Sequence, residues 1–66
     1  MSNTTLPWQW RHYQHVEALT QMGAYQICLD TGDLWVVFFK SEIVVEGIAD
    51  LKEAVSVAEN HFTTNF

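Results

Sequence analysis

Near the C-terminus, apolar side chains return every three or four residues. Leu51, Ala54, Val55, Ala58 and Phe62 fall in one stripe, with Lys52, Glu53, Ser56, Glu59 and Asn60 on the opposite side. That spacing predicts an amphipathic helix over about 50–62 with one face for a core. Asp50 as N-cap and Glu53 three residues later supply the start signal. Val57 falls off the stripe and is expected at the surface. Upstream the period changes to two. In Ala24–Asp30, Tyr25, Ile27 and Leu29 share one face, and Ala24, Gln26, Cys28 and Asp30 share the other, which reads as a strand. Leu34–Phe39 is apolar on both faces, as in a strand covered on each side or contributing to an interface. The Asp-Thr-Gly-Asp segment between these two runs predicts a hairpin. A third, β-branched strand follows the polar corner Lys40-Ser41, and Gly47 is expected to end or bulge it.

The stretch at 8–22 supports two readings. As a strand over about 8–18, it places Trp8, Trp10, His12, Gln14 and Val16 on one face. As a helix opened by Pro7 and closed by Gly23, it gathers Trp8, His12, His15, Leu19 and Met22. The helix leaves Trp10 and Tyr13 on its far side and builds its first turns from weak helix formers. The strand is therefore favoured, with Leu19–Gly23 as a turn or short helical piece. The fold class expected is α+β: an antiparallel β-meander of three to four strands with one C-terminal amphipathic helix packed on one face. At 66 residues this is one domain, with the polar residues 1–6 expected to be disordered.

Composition narrows the function. An apolar content of 48% and an aromatic content of 14% are too high for a disordered tail. Arg11, Lys40 and Lys52 face eight acids, for a net charge of −5. Three scattered cations do not make the cationic surface that a nucleic-acid backbone requires, so direct nucleic-acid binding is not expected. An acidic surface suits solubility or a basic partner protein. The lone Cys28 excludes an intrachain disulfide and suits a reducing compartment. The N-terminal residues show neither a basic nor an apolar signal region, and no apolar run reaches membrane-spanning length. The expectation is a cytoplasmic protein, without a membrane partner.

Two resemblances bear on origin. Trp8 or Trp10, His15-Val16-Glu17, Gly23–Ile27, Trp35–Phe39, Glu53-Ala54 and Ala58–His61 together resemble a group of small phage and prophage proteins. That likeness spans about 8–62 and implies phage origin, with no shared activity. The run from Ala24 through the helix, above all Gly47–Ala54, is similar to the partial RNase-H-like domain of HicB-type antitoxins. This second likeness implies an antitoxin-like partner of a small basic toxin.

Candidate chemistry is sparse. His12, His15, Glu17, Cys28 and His61 are the ligand types of interest, but on one strand His12 and His15 would point to opposite faces. No metal or other cofactor is expected. Cys28 sits inside a strand without a cationic neighbour or helix N-terminus to activate it. No strained serine elbow or phosphate loop occurs, so catalysis is not expected. Glu42, Glu46, Asp50 and Glu53 could form an anionic edge for a basic host protein, although the favoured account is that Asp50 and Glu53 cap the helix while Glu42 and Glu46 protect an edge strand. Trp8, Trp10, Trp35, Phe38 and Phe39 exceed what one helix can cover, so some should face a partner or a second copy. The candidate interface residues are Trp8, Trp10, Trp35, Glu42 and Glu46. The function expected is protein binding that modulates or inhibits a host protein, with the antitoxin as alternative and a homodimer as the simplest outlet for the aromatics.

Overall fold

The computed structural model describes residues 5–66. Alternation in the middle of the chain becomes an antiparallel sheet of five strands in sequential order: β1 (Trp8–His12), β2 (His15–Thr20), β3 (Gly23–Asp30), β4 (Leu34–Phe39) and β5 (Glu42–Ile48). The helix α1 (Leu51–Asn65) closes the chain. The α+β expectation holds, and the strand count rises to five. The extra strand comes from the opening stretch, which is a hairpin and not one long strand. Tyr13-Gln14 turns the chain between β1 and β2, so His12 and His15 become cross-strand partners. In β1, Trp10 pairs with Val16 and His12 with His15, which leaves Arg11 as an extra residue and bulges the strand.

Cross-strand register assigns the two faces. Trp8, Ala18, Tyr25 and Phe39 form one row toward the helix, and Val16, Ile27 and Val37 form a second. Leu29, Trp35 and Ile48 make a third. On α1, Ala54 and Ala58 are fully buried, and their small side chains let the helix lie close to β3, β4 and β5. Val57, expected at the surface, is half-buried against this core. The helix stripe is wider than its strongest positions indicate, because a sheet is a broad, flat partner.

The N-terminal segment is held where disorder was expected. Leu6 is only 6% exposed and belongs to the core, while residues 1–4 of that expected tail lie outside the described residues. Glu59 explains the difference. One of its carboxylate oxygens accepts both the Leu6 backbone N–H and the Trp8 indole N–H, each at 3.0 Å. Glu59 therefore does not belong to the solvated side of the helix.

Helix start and strand ends follow local chemistry. Asp50 is the N-cap and accepts the Lys52 N–H at 3.3 Å. The β4–β5 turn is unusual: Lys40 (φ 53°) and Ser41 (φ 69°) both adopt left-handed conformations, as a type I′ turn requires, without glycine or asparagine. Beside it, Gly23 has φ 146°, and a Cβ there would lie 2.7 Å from the Lys40 Cε and 3.0 Å from the Phe39 Cε1.

Two substitutions test this reading. Gly23→Ala should lower stability by about 1–3 kcal/mol in urea unfolding. Replacing Lys40-Ser41 with Asn-Gly should raise it by about 1 kcal/mol, since each residue's left-handed strain is relieved. Separately, Glu59→Ala should cost about 1–3 kcal/mol and make the chain N-terminal to Trp8 more susceptible to proteolysis.

Candidate protein-binding face

Antiparallel sheets that carry helices on one side normally present polar residues on the other. Here β2 and β3 partly follow that rule. His15, Glu17, Gln26 and Asp30 alternate onto the face away from α1, and the Gln26 side-chain amide donates to Glu17 at 3.4 Å. On β4 the rule fails, because Val36 and Phe38 point away from the helix. Val36 is 6% exposed yet lies outside the core cluster on the helix side. Its burial comes from neighbours on the uncovered face.

The adjoining strand extends this apolar centre. Along β5, Ile48 pairs with Trp35, Val45 with Val37, and Ile43 with Phe38. Two extra residues are therefore accommodated, one at Val44 and one next to Gly47, whose φ is 75°. The first bulge lets Val44 pack against the core while its neighbour Ile43 joins Phe38 on the open face at 58% exposure. The expected bulge at Gly47 is present. The result is a shallow depression of about 200 Å³ floored by Cys28, Val36, Phe38 and Ile43 and rimmed by Asp30 and Glu46.

Electrostatics at the depression are one-sided. Arg11 pairs with Glu17 at 3.3 Å, and Lys40 lies over the Phe39 ring at 5.6 Å. Lys52 is on the helix. None of the three cations lines the depression, so Asp30 and Glu46 meet none there.

The expected interface residues divide. Trp8 and Trp35 pack against the helix-side core, Trp8 through its bond to Glu59 and Trp35 opposite Ile48. Both are half-buried, because the N-terminal segment and α1 supply cover that the sequence did not reveal. Trp10, at 60% exposure, is the tryptophan left at the surface, on edge strand β1. Glu42 and Glu46 are both exposed on β5, Glu42 opposite Phe39 and Glu46 at the depression. The face itself was missed, apart from Glu46. Its signal was the two-sided apolarity of Leu34–Phe39.

Chemistry-bearing groups are placed as structural elements. Tyr25 is fully buried, and its hydroxyl meets His61 Nδ1 at 2.6 Å amid Phe39 and Phe62. Burial pushes the Tyr25 phenol above its ordinary range, and likewise the Cys28 thiol. His15, across from Cys28, has a buried Nε2 with no hydrogen-bond partner among the described residues. Among those residues no three His, Cys, Asp or Glu side chains gather as a metal site. No helix among them is long and apolar enough to cross a membrane. No family model, curated protein or solved structure matches this chain.

The raised pKa values set an alkaline limit. In the folded state both groups hold their protons to higher pH than in the unfolded state, so folding binds more protons. The stability these two groups contribute should therefore be constant across neutral pH. It should fall as pH climbs through the unfolded values, about 8.5 for the thiol and about 10 for the phenol. Urea titrations at stepped pH should show this decline, with Cys28→Ala flattening its first part and Tyr25→Phe its second.

Proposed function

We propose that this chain is a small acidic protein-binding module of the phage or prophage accessory type, which captures a protein partner on the sheet face opposite α1 and thereby modulates it. The observation that carries the reading is the apolar centre formed by Val36, Phe38 and Ile43 on a face that none of the described elements covers. Exposed Ile43 and half-buried Phe38 beside buried Val36, rimmed by acids, have the anatomy of an interface, with a greasy middle and a charged edge. An antitoxin-like role would use the same surface against a small basic toxin, and the acidic rim at Asp30 and Glu46 favours it as the second reading.

Catalysis draws no support from the same residues. Cys28 lies in the depression, but its raised pKa keeps the thiol protonated near neutrality and thus weakly nucleophilic. The depression is also shallower than pockets that bury a small molecule, about 300–1,000 Å³.

The test compares host-lysate captures on wild-type protein, on Phe38→Ser with Ile43→Ser, and on a Trp10→Ser control. A specific partner should be retained by wild type and by the Trp10 variant, and lost from the open-face variant. Retention by the open-face variant, with its fold verified by circular dichroism, would overturn the reading.

A further inference from the structure

We infer that the occupant of this face is a cationic amphipathic helix of another protein, lying across β3, β4 and β5 on the side opposite α1. The inference rests on the protein-binding reading and adds what binds. Three observations select the occupant.

Charge comes first. Asp30 and Glu46 rim the depression, and no lysine or arginine lines it. A second copy of the chain would bring the same carboxylates into the interface, on two molecules that each carry −5. Like charges across a contact are repulsive, and a partner with lysine or arginine flanking an apolar stripe is complementary. Such side chains also lay their alkyl stems on apolar surface while their heads reach the rim acids.

Width comes second. The apolar floor spans three neighbouring strands, from Cys28 on β3 through Val36 and Phe38 on β4 to Ile43 on β5. At about 4.8 Å between strands, three strands are about 10 Å across. An α-helix with its side chains is about 10–12 Å wide. α1 covers these same three strands on the reverse side, so a helix on the open face completes a helix–sheet–helix sandwich, one of the standard layered arrangements.

Edge geometry is third, and it disfavours the main competitor. A peptide adding as a sixth strand needs a regular free edge. β1 carries its bulge at Arg11, and β5 carries two, at Val44 and next to Gly47. Bulges twist an edge away from further pairing. The face is open while the edges are blunted, which suits a helix and not a strand.

The test uses the full chain, isotopically labelled, and three capped synthetic peptides of about 15 residues, enough for about 22 Å of helix. All carry one leucine stripe at helical spacing, with lysine, glutamine or glutamate on the remaining positions. The lysine peptide should bind and shift the amide signals of Cys28, Val36, Phe38 and Ile43 more than those of α1. The glutamine peptide should bind more weakly and the glutamate peptide not at all. Asp30→Asn with Glu46→Gln should weaken the lysine peptide roughly threefold to tenfold, as expected of two rim ion pairs. Glu53→Gln on the helix should leave its affinity unchanged. Phe38→Ser should weaken it as well, since attraction by charge alone would survive that change.

Equal binding of the glutamine peptide would overturn the inference. So would shifts centred on β1 or α1, insensitivity to Phe38→Ser, or a dimer formed through the open face in sedimentation equilibrium. Failure is separable from failure of the binding reading. If a captured partner still depends on Phe38 and Ile43 but the lysine peptide does not compete for it, only the helical, cationic identity falls. If the partner ignores Phe38 and Ile43, the reading itself falls.

Discussion

One helix must cover a sheet of five strands, and it can do so on one side only. α1 reaches β3, β4 and β5, which leaves two areas without helical cover: the helix side of β1 and β2, and the whole reverse face. The chain closes the first area internally. Leu6 and Trp8 are drawn toward the helix by the Glu59 carboxylate, and Leu6 is buried there with Val16 and Ala18. For a chain this short, in which each large side chain is a substantial share of the core, that closure is a condition of folding and not a detail. The second area stays open.

Aromatic residues complete the covered side. Tyr25 stands at the centre of the sheet, fully buried, with Phe39 beside it and His61 and Phe62 above it on the helix. A buried hydroxyl without a partner would cost about 1–3 kcal/mol, and His61 removes that cost at 2.6 Å. Phe66 extends the cluster past the helix end onto Phe39 and Phe62. The crowding of nine aromatic side chains into 66 residues is thus largely resolved by stacking them between sheet and helix. The open face is left with Phe38.

The elements legible in the sequence were those whose partners are close along the chain. β3 showed its period-two alternation, α1 its helical stripe and Asp50 its cap, because each depends on neighbours within a few residues. β5 was legible as a strand but not by face, since bulges at Val44 and next to Gly47 break the alternation on which a face assignment rests. Division of the opening stretch into β1 and β2 was hidden because Tyr13-Gln14 carries no glycine or proline to mark a turn. Glu59 was misassigned for a different reason. A carboxylate on a helix is ordinarily solvated, and its two partners lie more than fifty positions away in sequence. Trp8 and Trp35, read as candidates for an interface, are half-buried by contacts of the same long-range kind.

The site was only partly legible for a related reason. Leu34–Phe39, apolar on both faces, said that both sides of β4 need cover, and the structure supplies cover to one. On the proposed reading, the distribution of charge is what turns that deficit into a statement about a partner. Several acids have internal roles: Asp50 caps the helix, Glu59 holds the N-terminal segment and Glu17 pairs with Arg11. Among the described residues Asp30 and Glu46 pair with no cation, and they flank the apolar depression on the face opposite α1. Replacing either by a neutral residue would remove none of the strand pairing or core contacts. Asp30 also shapes the chain, accepting the Thr31 backbone N–H at 2.7 Å where β3 enters its turn, so its place at the rim has a structural account as well.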